Sequence, residues 1–145
     1  MEPYRRTAQY HETDQMGIIH HANYVKWMEE ARVAFMAALG FGYEKIEAQG
    51  IVVPVIGISL TYKKPVRFAE EFEVDVRVQR YNGRILELGY TIRNLTQGTL
   101  CTVATSKHCF LKDGKMVSLS SVLPALDRVL TELSEAGKEE TDADV

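Results

Sequence analysis

A helix that is apolar on every side cannot lie on a surface, and this chain contains one close to its start. In residues 23–39, Tyr24, Trp27, Met28, Ala31, Phe35 and Leu39 recur at helical spacing. The second half, VAFMAAL, offers no polar face at all. Such a helix must be wrapped by other protein. Asn23 reads as its N-cap and Gly40 as its terminator. The residues beyond Gly50 supply the wrapping. Residues 51–64 form a long β-rich run closed by Pro65, and Phe72, Val74, Val76 and Val78 alternate with polar neighbours. Asn82-Gly83 is a hairpin turn, after which Leu86, Leu88, Tyr90 and Ile92 alternate again. A last long strand covers 100–111, and a short helix at 121–134 closes the domain. YRRTAQY (4–10) reads as a weak first strand. Strands joined by hairpins make an antiparallel sheet. The expected architecture is therefore α+β, with one strongly curved antiparallel sheet around a long central helix. The second face of that sheet is left for a partner subunit.

With 145 residues, 46% hydrophobic and 26% charged, the chain suits one domain with a sizeable core. The net charge of −3 is uneven, because six acids and one base after residue 131 carry −5 and leave +2 on residues 1–131. We expect a domain at 1–133 and a disordered acidic tail at 134–145. The bases are scattered, which argues against a nucleic-acid interface. No run approaches the length needed to span a membrane, and MEPYRRTAQY lacks a signal-peptide core. Cys101 and Cys109 lie about 26 Å apart in an extended strand, beyond disulfide reach. Two reduced thiols fit a cytoplasmic protein.

The chemistry is concentrated in YHETDQMGIIHHANY, residues 10–24. Tyr10, His11, Glu12, Asp14, His20, His21 and Asn23 precede a helix start, which offers free N–H groups and partial positive charge. A carboxylate turned back by Gly17 would sit beside those donors. It attacks a carbonyl or activates water, while the N–H groups stabilise the oxyanion. A thioester suits such sparse equipment. Its thiolate leaving group, with a parent thiol pKa of about 8.5, departs with little help.

The stretch YHETDQMGIIHHANYVKWMEEAR resembles the opening signature of the 4-hydroxybenzoyl-CoA thioesterase-like branch of hotdog-fold proteins. Within that branch it is most like the acyl-CoA thioesterases associated with the bacterial Tol–Pal system. Tyr10, Thr13-Asp14, Gly17, His21, Asn23-Tyr24, Trp27, Glu29 and Ala31-Arg32 carry the likeness. It continues through YKKPVRFAEEFEVDV to about residue 130, leaving the acidic tail outside. The resemblance implies the hotdog fold, a homodimer or homotetramer with the site at the subunit interface, and no metal or other cofactor. It implies an acyl-CoA substrate with a short-chain or aromatic acyl group. Asp14 matches the catalytic carboxylate, as nucleophile or general base. His21 stands where a backbone N–H meets the thioester carbonyl, and His21 and Tyr10 match positions thought to assist. Gly17, Asn23 and Tyr24 join the substrate-binding set. So do Lys63, Lys64 and Arg67, a basic group suited to coenzyme A phosphates.

Plainer roles stand beside these. Asp14 fits a turn, His21 a helix-start hydrogen bond, Tyr10 a packed strand residue, and the lysines a protected sheet edge. Glu29 and Arg32 are spaced for an ion pair on the helix. His11, Glu12, His20 and His21 lack metal-ligand spacing. A hydroxyacyl dehydratase would need a histidine followed by Phe-Pro-Gly, which is absent. A non-catalytic acyl-CoA-binding or scaffold protein is the alternative outside enzymes.

Overall fold

The computed structural model describes residues 2–143. Its elements run β1 (Tyr4–Thr7), a 3-10 turn (Tyr10–Glu12), α1 (Ala22–Ala38), α2 (Tyr43–Ala48), β2 (Ile51–Val52) and β3 (Val55–Tyr62). Then come β4 (Glu71–Tyr81), β5 (Ile85–Asn94), β6 (Thr99–Cys109), β7 (Leu111–Lys112), β8 (Lys115–Met116), α3 (Leu119–Val122) and α4 (Pro124–Ala143). Five strands form one antiparallel sheet in the order β1-β4-β5-β6-β3. A three-stranded patch, β2-β7-β8, stands apart from it.

The sheet wraps α1 as the hydrophobic pattern demands. Tyr24, Trp27, Met28, Ala31, Phe35 and Met36 are buried against Phe72, Val74, Leu86, Leu88, Tyr90 and Ile92 in one core. Trp27 stacks on Phe72 with ring centroids 3.8 Å apart. The wrapping is incomplete, however. Val25 and Val33 are 39% and 45% exposed, so one side of α1 is open in the single chain. The side of β3 away from β6 carries no strand among the described residues.

Several boundaries differ from expectation, each for a local reason. The long run 51–64 is two strands, because Val53 and Pro54 interrupt it. The last strand likewise divides at Phe110. The α1 helix begins at Ala22, and Asn23 is not its N-cap but sits in its first turn. The capping is done by His20, whose Nδ1 accepts from the Ala22 N–H at 3.1 Å. The closing helix is also longer than read. Pro124, favoured at a first helical position, restarts the chain after α3. Residues 134–143 of the expected disordered tail continue α4, while Asp144 and Val145 lie outside the described residues. Ser134 is buried, and a Cβ placed on Gly137 would stand 3.3 Å from the Val78 carbonyl oxygen. The helix therefore docks on β4 beyond residue 133.

Candidate active site

The polar loop after β1 is a small hairpin held at its base by a buried acid. Thr13 and Ile19 form an antiparallel bridge, and the Asp14 N–H donates to the Ile18 carbonyl at 2.8 Å. Gly17 donates back to the Asp14 carbonyl at 3.1 Å and adopts φ +78, the left-handed region that favours glycine. The outgoing arm is pinned to the segment after β3, through an Ile18–Arg67 bridge and an Ile19 N–H bond to the Val66 carbonyl.

Glu12 is the anchor. It is only 4% exposed, yet every side-chain oxygen is used. Oε1 accepts from the Gln9 N–H and from Arg6 Nη2, both at 2.8 Å, and Oε2 accepts from Trp27 Nε1 at 2.7 Å. Burial pushes the Glu12 carboxyl up, but the Gln9 N–H, the indole and the Arg6 guanidinium together hold it below the usual range. Its carbonyl also accepts from the Asn23 side chain and the His20 N–H, both at 2.9 Å. Glu12 thus ties the loop to the start of α1, which is structural work rather than metal binding. Among the described residues no group of three or more His, Cys, Asp or Glu side chains is placed to hold a metal.

Asp14 is half-buried. Its Oδ1 accepts from the Met16 N–H at 2.8 Å, which is the turn role such residues commonly take. Among the described residues no hydrogen bond engages the other oxygen. His21 sits at the start of α1. The His20 carbonyl points into the helix, accepting from the Asn23 N–H at 3.0 Å. A trans peptide sets the following N–H opposite that carbonyl, so the His21 N–H points away from the helix. Among the described residues no hydrogen bond engages it. This is an outward donor at a positive helix end.

The structure brings some expected residues together and separates others. The His21 and Tyr24 rings meet edge-on, with centroids 6.4 Å apart. Tyr24 is buried, and burial pushes its hydroxyl up to about 12. Tyr10 is 76% exposed and packs against Phe68 at 5.5 Å, so it is not the packed strand residue of the plainer reading. The Lys63 and Lys64 N–H groups both donate to the Cys101 carbonyl, and their side chains are exposed. Lys64 and Arg67 line a cavity of about 240 Å³ with Pro65, Glu70, Gln97 and Thr99. The Glu70 carboxylate there is already engaged by the Arg67 N–H, Asn94 and Gln97. Cys101 and Cys109 are buried free thiols.

Two features were not anticipated. The Glu29–Arg32 ion pair is absent among the described residues. Arg32 is instead buried, donating to the Tyr43 hydroxyl at 3.2 Å and the Tyr90 hydroxyl at 3.1 Å. Helical phase explains this, since Arg32 follows Met28 and precedes Met36 by four residues on the buried side. The second is Tyr62, whose ring stacks on the His21 imidazole with centroids 4.0 Å apart. No local pattern points to it, because the contact spans 41 residues.

Comparison with known proteins bears on the family and the fold. Residues 8–130 match the family model described as the thioesterase-like superfamily. A Bacillus subtilis (strain 168) relative named putative acyl-CoA thioesterase YneP is 45% identical over 101 residues, covering 70% of this chain and 72% of that protein. Among solved structures, a DHNA-CoA thioesterase from Staphylococcus aureus superposes with a TM-score of 0.90 at 30% identity, over 96% of this chain and 94% of that one. A hypothetical protein from Aquifex aeolicus superposes with a TM-score of 0.82 at 33% identity, over 90% of this chain and 99% of that one. With its antiparallel sheet around α1 and a match across most of its length, the chain belongs to the thioesterase-like superfamily and has the hotdog fold.

Proposed function

We propose that this protein hydrolyses the thioester bond of an acyl-CoA, with Asp14 as its catalytic carboxylate. One observation carries the proposal. A carboxylate with an unengaged oxygen lies in a loop that Glu12 ties to a helix start, where the His21 N–H faces outward. The relatives named as acyl-CoA and DHNA-CoA thioesterases supply the reaction class.

In the reaction, Asp14 supplies the attacking oxygen, either its own or that of a water from which it takes a proton. Negative charge gathers on the carbonyl oxygen and is met by the His21 N–H. The C–S bond then breaks, and coenzyme A leaves as a thiolate that takes up a proton. The acyl group leaves as a carboxylate, and through an acyl-aspartate this requires a second attack by water. Gly17 keeps the loop tight, and Asn23 and Tyr24 hold the helix start that substrate meets. Tyr10, in the open, is free to reach substrate or a second subunit. The exposed Lys63, Lys64 and Arg67 side chains suit the phosphates, and none forms an ion pair among the described residues.

The acyl group is short-chain or aromatic, the second consistent with the name of a Thermosynechococcus vestitus relative, 1,4-dihydroxy-2-naphthoyl-CoA hydrolase. A second copy completes the site. Among the described residues, the edge of β3 offers unpaired backbone groups, no charged residue and exposed Val55, Ile56, Ile58 and Tyr62. Pairing there gives a homodimer, from which a homotetramer is built. No helix among the described residues is long and apolar enough to cross a membrane, and a cytoplasmic location suits the free thiols.

The test is release of free thiol from a panel of acyl-CoAs. Turnover by wild type that collapses in Asp14→Asn is the expected result. Tight acyl-CoA binding without turnover across the panel would replace this reading with a binding or scaffold role.

A further inference from the structure

We propose that Tyr62, at the end of the edge strand β3, is a positioning residue that holds His21 with its N–H aimed at the reacting carbonyl. This rests on the hydrolase reading above. Tyr62 grips His21 at two points. Its hydroxyl donates to the His21 carbonyl at 3.2 Å, and its ring lies nearly flat on the imidazole, 12° from parallel at 4.0 Å. A third contact steadies the ring itself, which meets Tyr24 edge-on at 5.3 Å.

The grip matters because of what else holds His21. The peptide plane before it is fixed from the helix side, through the His20 carbonyl and the Asn23 N–H. The plane after it is fixed by the His21 carbonyl, which accepts from the Tyr24 N–H at 3.1 Å and from Tyr62. Helix ends fray, and the first turn has only half of its ladder. The Tyr62 hydroxyl comes from a different element, so it persists when the first turn loosens. Together the two planes set φ and ψ at His21, and with them the direction of the outward N–H. An oxyanion donor works by being aimed before charge develops, so a freer donor slows the chemical step and leaves ground-state binding alone. Tyr62 thereby connects the open edge of the sheet to the reaction centre.

Two variants separate the parts of the grip. Tyr62→Phe removes the hydroxyl and keeps the stack, whereas Tyr62→Leu removes both. On the acyl-CoA that wild type turns over fastest, Tyr62→Phe is expected to lower kcat about tenfold with KM within about twofold. Tyr62→Leu should lose about threefold more, with the stack accounting for the difference. In a His21→Ala background the hydroxyl's effect should persist, because the carbonyl remains, while the difference between Phe and Leu at position 62 should shrink to what the Tyr24 contact supplies. General loosening of the fold would not give that pattern.

A wild-type kcat in Tyr62→Phe overturns the proposal, as does a raised KM with kcat unchanged, which would make Tyr62 a substrate contact. The grip itself is read without turnover. The carbon-bound imidazole protons of His21 should shift downfield in Tyr62→Leu as the ring current above them is lost, and unchanged shifts would sink the idea. If wild type cleaves no acyl-CoA, the hydrolase reading fails and the positioning role with it, whereas the shifts still show whether Tyr62 holds His21.

Discussion

His108 should make this protein lose stability between pH 6.5 and 4, before most carboxylates titrate. The side chain is buried in β6, and its Nε2 lies 2.8 Å from the Ser106 hydroxyl. Ser106 lies 2.7 Å from the Tyr90 hydroxyl, which accepts from Arg32 Nη1 at 3.1 Å. Donor directions are set from the end that has no choice. Arg32 only donates, so Tyr90 donates on to Ser106 and Ser106 to His108 Nε2. That chain needs a neutral imidazole with its proton on Nδ1, which lies beside the Pro54 carbonyl without meeting hydrogen-bond geometry. Protonation would set two donors face to face beside a buried guanidinium. Burial first, and the Arg32 charge second, accordingly push the His108 pKa down from 6.5 to about 4, against a smaller upward pull from Pro54.

Below 6.5 the unfolded chain takes up a proton that the folded chain refuses, so stability is full above 6.5 and falls as pH drops towards 4. At about 1.36 kcal/mol per unit, the loss is on the order of 3 kcal/mol. Urea denaturation at intervals from pH 7.5 to 4, on wild type and His108→Phe, measures it. The wild type should lose about 3 kcal/mol relative to the variant across that window, whatever the variant's offset at pH 7.5. Parallel curves would refute the neutral buried histidine and the donor order derived from it.

In Glu12→Gln the amide NH2 must face a donor in either orientation, because Arg6, Gln9 and Trp27 all donate. A cost of about 3–5 kcal/mol in urea denaturation at pH 7 is expected. Because Glu12 is held below its usual range, its contribution is present above about 4.5 and is lost as pH falls through the lower folded value; Glu12→Gln should lack that acid limb. Ile58→Lys puts a charge on the open face of β3, and sedimentation velocity should show it monomeric and inactive beside an oligomeric wild type. An active monomeric wild type would remove the second subunit from the site.

The strands were legible because burial on one face leaves a period of two. Phe72, Val74 and Val78 in β4, and Leu86, Leu88, Tyr90 and Ile92 in β5, are the buried set that alternation marks. The long helix was legible from its spacing, whereas the burial of Arg32 was not, because its partners, the Tyr43 and Tyr90 hydroxyls, come from later in the chain. The extent of α4 was obscured because its seam passes from Leu126 and Leu130 to Ser134 and Gly137. Small residues allow close approach to β4, but they carry no hydrophobic signal. In the candidate site, Asp14 and His21 stand out because they belong to a dense local motif. Glu12 looked like one more acid in that motif, since nothing local says that Trp27 and Arg6 converge on it. Tyr62 is a contact between the last residue of one strand and a helix start far earlier in the chain, which only the folded sheet creates.

The role of Asp14 is decided by thiol release from a panel of short-chain and aromatic acyl-CoAs, comparing wild type with Asp14→Asn at matched folding. Wild type should turn over part of the panel, and Asp14→Asn should lose at least about 100-fold in kcat with little change in binding. Undiminished turnover in Asp14→Asn would contradict a catalytic carboxylate at this position.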